Sequence, residues 1–182
     1  NATSNVTLDG GSLINTFGSP NSIGNSGDIT VNARNINLSN SSSISSGNVG
    51  QGRSGKTTLQ ATDRIALASG SNINSSSIPD EESGIINSEA SGNIEIAARS
   101  LFLDGQDTHI SSFNLSQGRA GNIRITTDDQ ISLNESAYIA SATNGQGDSG
   151  DIELTTRSLT LSNGSRINTQ TTGSGNSGTL VI

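Results

Sequence analysis

A glycine-led pentad, Gly-x-[Ile/Thr/Leu]-x-[Val/Leu/Ile], recurs at Gly27, Gly55, Gly92, Gly121, Gly150 and Gly178, at intervals of 28, 37, 29, 29 and 28 residues. Self-similarity at such a period marks a solenoid, in which a repeat buries its apolar row only by stacking on its neighbours. Aligned on these glycines, the apolar residues fall into columns. One holds Ile29, Thr57, Ile94, Ile123, Ile152 and Leu180, and two residues on stand Val31, Leu59, Ile96, Ile125, Leu154 and Ile182. A small column follows (Ala2, Ala33, Ala61, Ala98, Thr127, Thr156), then Val6, Ile36, Ile65, Leu101, Ile131 and Leu159. The last two columns are uniform: Leu8, Leu38, Leu67, Leu103, Leu133 and Leu161, then Ile14, Ile44, Ile73, Ile110, Ile139 and Ile167.

Spacing of two within each run is strand periodicity, and no segment carries a 3.6-residue period. The pattern predicts an all-β fold, a right-handed parallel β-helix of about six coils with three short strands each, filling residues 1–182 as a single repeat segment. The right hand is expected because crossovers between parallel strands take it almost without exception. At about 4.8 Å per coil the rod would be roughly 30 Å long.

Composition alone would suggest a linker or a disordered segment, since only 29% of the residues are apolar and 22 are glycine. The ordered columns decide against that. A net charge of −7 with a pI near 4.4 and no basic stripe argues against a nucleic-acid partner, which needs Lys and Arg to neutralise phosphates. No apolar run approaches the length of a membrane-spanning helix, and the absence of cysteine excludes disulfides and thiolate metal sites.

From the Ile column to the next pentad there are 11 residues in four repeats, but 19 between Ile73 and Gly92. The added stretch, residues 78–90, is expected to leave the rod as a loop bearing Asp80, Glu81 and Glu82. It reads as a tolerated surface insertion or as a recognition loop. The shared loops GQGRSG, SQGRAG, NGQGDSG and GSGNSG lack the helix and Lys of a phosphate cradle. With only Asp28, Asp148 and Asp151 they also lack the carboxylates of a calcium turn, so their glycines are expected to serve tight turning. No metal or cofactor is expected.

Outward positions carry the remaining candidates. Thr30, Thr58, Glu95, Arg124 and Glu153 form one outward column, where Arg124 between two carboxylates reads as charge pairing on a stacked ladder. Another outward column holds Leu13, Ser43, Asn72, His109, Tyr138 and Arg166, so the chain's one His and one Tyr stack beside an Arg as a candidate patch for a sugar ring or a carboxylate. Solvent-exposed side chains resting on one another would look the same. Asp63, Asp128 and Asp129 with Arg64, Arg99 and Arg157 cluster at the turn between the first two strands, but no tight carboxylate pair emerges, so no catalytic site is expected.

The repeats GNIEIAARSLFLDGQDTHIS and GNIRITTDDQISLNESAYIA, with loops such as GQGRSGK and SQGRAGN, resemble the filamentous-haemagglutinin-like exoproteins of two-partner secretion systems, in particular the large cyanobacterial forms. The resemblance covers nearly the whole chain and matches the repeat shaft rather than the secretion domain. It implies a β-helix exported through an outer-membrane partner, displayed outside the cell, and acting in adhesion to cell-surface glycans or proteins. A polysaccharide-binding or polysaccharide-degrading β-helix is the alternative. Placed before NATSNVTLDGGSLINT, the segment GTLVI completes a coil that matches GKTTLQATDRIALASGSNIN column for column, so stacking end to end, on copies of itself or on flanking coils, is expected.

Overall fold

The computed structural model describes residues 4–79 and 89–182, and among them there is no helix. Strands β1 (Asn5–Leu8), β3 (Ile29–Leu38), β5 (Thr57–Ala68), β7 (Ile94–Asp104), β9 (Ile123–Asn134), β11 (Ile152–Thr155) and β14 (Leu180–Val181) stack in that order, with β12 (Ser158–Leu161) also pairing on β9. A second sheet stacks β2 (Leu13–Gly18), β4 (Ser43–Asn48), β6 (Asn72–Ser77), β8 (His109–Asn114), β10 (Tyr138–Thr143) and β13 (Arg166–Thr171). Every pairing is parallel, so the chain is a parallel β-solenoid of six coils.

The sequence columns are the register. Ile14, Ile44, Ile73, Ile110, Ile139 and Ile167 pair in succession along the second sheet. Leu8, Leu38, Leu67, Leu103, Leu133 and Leu161 do so along the first. A slip of one residue would turn each row outward, so like residues in every coil hold the register. The inner coils bury both rows fully, whereas Leu161 in the last coil is 42% exposed for want of a coil above it.

In four coils the first two apolar runs, expected as separate strands, form one bent strand (β3, β5, β7 and β9), and only β11 and β12 are separate. The bend is a shift of register and not a turn. It falls between Ala33 and Asn35 in β3, and β5 and β9 each carry one more residue there than β3 and β7. Ala33, Ala61, Ala98 and Thr127 line the inside of the corner, and a bulge absorbs the extra residue.

The second corner, between the Leu and Ile columns, is turned by left-handed residues: Gly10 and Gly11, Asn40 and Ser41, Ser69 and Gly70, Glu135 and Ser136, Asn163 and Gly164. The coil with one more residue here, from Leu103 to Ile110, uses Gly105 and Asp107.

The glycines of the shared loops act differently from the expected tight turning. None of Gly55, Gly92, Gly121, Gly150 and Gly178 has a left-handed φ. Each lies so close to the glycine one coil away that an added Cβ would overlap the carbonyl oxygen of Gly27, Gly55, Gly92, Gly121 and Gly150 respectively. Absence of a side chain, rather than conformational freedom, is what these positions require.

A large share of the interior is polar. Beyond the Ile column, the inward positions of the second sheet are Ser46, Ser75, Ser112 and Ser141, then Asn48, Ser77, Asn114 and Thr143, all buried. Their partners are the backbone groups of the stacked loops. The Gly121 N–H donates to Ser112 Oγ at 2.8 Å and Ser141 Oγ donates to the Gly121 carbonyl at 3.0 Å; the Gly92 and Gly150 N–H groups donate to Ser75 and Ser141 at 2.8 and 2.9 Å. The stacked loops share only scattered backbone bonds, such as the Ala120 N–H to the Asp148 carbonyl at 3.0 Å, and their remaining buried N–H and C=O groups must be paired by side chains. A chain with few apolar residues can fold because serine and asparagine fill this side.

Candidate functional site

The outer face of the second sheet carries the one assembly of chemically distinctive side chains that the sequence singled out. Tyr138 of β10 pairs in register with His109 of β8 on one side and Arg166 of β13 on the other. The rings of His109 and Tyr138 stack with centroids 4.7 Å apart and planes 6° from parallel, and the Arg166 Cζ lies 4.5 Å from the Tyr138 centroid. The three side chains form a continuous ladder along the rod, each covering the next.

His109 is fixed by the extra residue of its corner. Its Nδ1–H donates to the Asp107 carbonyl at 2.8 Å, which leaves Nε2 as an acceptor. Burial pushes the imidazole below its ordinary value, against the opposing pull of Asp107, so it is neutral near pH 7. Burial also pushes the Tyr138 phenol up, partly offset by the Arg166 charge, so its hydroxyl keeps its proton. Arg166 makes no ion pair among the described residues.

Two outward columns run beside this ladder. Ala140 of β10 sits between Ser111 and Asn168, and Ala142 between Phe113 and Gln170. Ala140 and Ser111 are buried although they lie in an outward column, so the chain itself covers this part of the sheet. The Ser111 hydroxyl, on a fully buried residue, and the Asn168 Oδ1 have no hydrogen-bond partner. Sequence reasoning found the ladder through its rare residues and missed the burial of Ala140 and Ser111 beside it, residues that are unremarkable singly; strand alternation two residues beyond Tyr138 and His109 is the signal that locates them.

The other sequence candidates are placed as follows. Arg124 lies in register between Glu95 and Glu153. It pairs with Glu153 at 2.6 Å, while Glu95 is held by Lys56 at 2.7 Å. These pairs are exposed, and such pairs contribute about 1 kcal/mol at most. At the first corner, Arg99 Nε donates to Asp129 at 2.7 Å, and this hydrogen bond raises the guanidinium above its ordinary value. Asp63 and Asp128 act on Arg99 only through space.

Asp28, Asp148 and Asp151 are hydrogen-bond acceptors for the neighbouring coil, taking the backbone N–H of Lys56, Asn176 and Thr179, each at 2.7 Å. Asn93 and Asn122 do the same for the N–H groups of Asn122 and Asp151. Among the described residues no three His, Cys, Asp or Glu side chains gather as a metal site. Asp80, Glu81 and Glu82 lie outside the described residues. The chain on either side of them is tied to the rod: the Ile78 N–H donates to the Asn48 carbonyl and Asn114 Nδ2 donates to the Glu89 carbonyl, each at 3.0 Å.

Comparison with protein-family models, with curated proteins and with solved structures finds no match to the chain.

Proposed function

We propose that this chain is a shaft segment of a secreted or surface-displayed structural and adhesive protein, without catalytic activity, whose coils continue axially into further coils of the same kind. The observation that carries this reading is the state of the two axial faces. At one end Leu161, Leu180 and Ile182, which continue rows buried in the inner coils, are exposed, and at the other Val6 and Ile14 of such rows are only partly buried. Unpaired parallel edges with open apolar rows accept another coil, and coaxial addition does not close on itself, so its product is an open filament. The resemblance of the repeats to filamentous-haemagglutinin-like exoproteins supports export through an outer-membrane partner and a role in adhesion.

Sedimentation velocity and electron microscopy of the purified chain test the axial reading. Fibres of solenoid width, lost in a Leu161→Glu variant that retains its β-sheet circular dichroism, are expected. A monomer that persists at millimolar concentration would refute self-association. Polysaccharide binding is favoured as a second reading by the His109, Tyr138 and Arg166 ladder, whereas at the first corner Asp129 is engaged by Arg99.

A further inference from the structure

We propose that the loop from Gly24 to Gly27, on one axial face, is a docking surface for the loop from Gly175 to Gly178 of a second copy of this chain, the two copies stacking in register head to tail. The proposal rests on the axial reading of the shaft and adds to it the partner and the contact that selects that partner. From Gly24 onward the first loop follows the others residue for residue: Gly24-Asn25-Ser26-Gly27 stands against Gly52-Arg53-Ser54-Gly55, Gly118-Arg119-Ala120-Gly121, Gly147-Asp148-Ser149-Gly150 and Gly175-Asn176-Ser177-Gly178. Between Ile14 and Gly27 there are 13 residues against 11 in those loops, and the added pair precedes Gly24, at the turn where Asn21 has φ 64°.

Gly24 and Gly27 are glycines that no contact inside the chain requires. Neither has a left-handed φ; an added Cβ would meet nothing within 4 Å at Gly24, and at Gly27 only the Thr16 side chain, at 3.6 Å. Both are exposed, whereas Gly52, Gly55, Gly118, Gly121 and Gly150 are buried. In the later coils the same two positions are glycine because a Cβ there would point at the preceding coil. It would overlap the carbonyls of Gly24 and Gly27 from Gly52 and Gly55, of Gly118 and Gly121 from Gly147 and Gly150, and of Gly147 and Gly150 from Gly175 and Gly178. A glycine at an ordinary φ is destabilising relative to alanine. The two spare glycines therefore make sense when carbonyl groups at the same spacing lie against them from outside the chain.

The far end of the rod presents those groups. Two hydrogen bonds join such loops where the lower one carries Asn or Asp followed by Ser. Asn25 Oδ1 accepts the Arg53 N–H at 2.8 Å while the Ser26 N–H donates to the Arg53 carbonyl at 3.0 Å. Asp148 Oδ1 accepts the Asn176 N–H at 2.7 Å while the Ser149 N–H donates to the Asn176 carbonyl at 2.9 Å. Asn176-Ser177 repeats the pair on the last loop, where it has no coil above it. Seated there, Asn25 of a second copy would give its N–H to Asn176 Oδ1 and take the Ser177 N–H on its carbonyl.

Charge permits the same pairing. The loop position that holds Arg53, Arg119 and Asp148 in the inner coils is neutral at both ends, Asn25 and Asn176, so two chains of net charge −7 meet here with no like charges opposed.

The double variant Gly24→Ala, Gly27→Ala tests the contact. In dilute solution its thermal melt should match or slightly exceed that of the parent chain, because the methyl groups meet little within the chain. In sedimentation velocity its apparent dissociation constant should rise on the order of a hundredfold, about tenfold for each overpacked methyl group. The chain has no cysteine, so Asn25→Cys and Asn176→Cys each introduce a single thiol. Stacked coils lie about 4.8 Å apart, within disulfide reach. Mild oxidation of an equimolar mixture of the two single variants should therefore give the 25–176 crosslinked dimer well in excess of either symmetric dimer. Association that the double variant leaves unchanged, or symmetric dimers in excess, would overturn the proposal and leave the axial reading standing. A parent chain that stays monomeric at millimolar concentration would overturn the proposal together with self-association.

Discussion

Replacing Gly121 by alanine separates two uses of glycine that the sequence does not distinguish. At a position with ordinary φ, Gly→Ala stabilises a protein by about 0.4–1 kcal/mol, because the unfolded chain loses freedom. At Gly121 the new methyl group would fall on the carbonyl oxygen of Gly92. The loop must move outward, at a cost of about 1–3 kcal/mol for overpacking. That movement also strains the bonds of Gly121 to Ser112 and Ser141, at 2.8 and 3.0 Å, worth about 1 kcal/mol each. The expected net loss is about 2–4 kcal/mol, or roughly 5–15 °C in Tm for a chain of this length. Gly24, in another loop with nothing within 4 Å of an added Cβ and no left-handed φ, is the control. Gly24→Ala should be neutral or slightly stabilising. Thermal and guanidinium melts followed by circular dichroism measure both. Equal stability of the two variants would refute the argument that loop glycines are required by coil-to-coil contact.

Leu133→Asp would bury an unpaired carboxylate in a side chain now fully enclosed, at a cost of several kcal/mol, visible as loss of the folded signal or a large drop in the denaturation midpoint. Ser136 adopts φ 65° where Gly11, Gly70 and Gly164 stand in other coils, so Ser136→Gly should raise stability by about 0.5–1 kcal/mol in the same melts. Because burial depresses the His109 pKa below 6.5, the neutral ring contributes stability above that pH that is lost as pH falls through the folded value. The Tm difference between pH 7.5 and pH 5 should therefore shrink in His109→Gln. Shortening residues 78–90 to the 11-residue spacing of the other coils should leave the melt cooperative and the sheet signal unchanged; loss of folding would mean that the insertion packs on the rod.

The apolar half of the fold was legible because a stacked coil repeats its requirements. Ile44, Ile73, Ile110 and Ile139 each face the same neighbours, so a single alignment placed the register, the sheets and the inward face. The polar half was not legible. Ser75, Ser112 and Ser141 read as surface residues by type, and only the path of the loop shows that they meet buried backbone groups. Glycine was misread for a related reason: a close approach between coils is a distance in space, and nothing local to SQGRAG or NGQGDSG reveals it. The fused strands followed from corners wide enough for a bulge, where the sequence showed only a five- or six-residue gap between columns.

The same reasoning explains why the candidate site lies where it does. Inward columns repeat because each residue must satisfy the coil above and the coil below. Outward columns are free of that constraint, and Leu13, Ser43, Asn72, His109, Tyr138 and Arg166 share no chemistry beyond their position. His109, Tyr138 and Arg166 nonetheless stack closely, because in-register parallel strands bring outward side chains of successive coils into contact. The solenoid contributes rigidity: β8, β10 and β13 are held in register by the Ile110, Ile139 and Ile167 row directly beneath, so the stacking of the ladder on their outer face follows from the inward row.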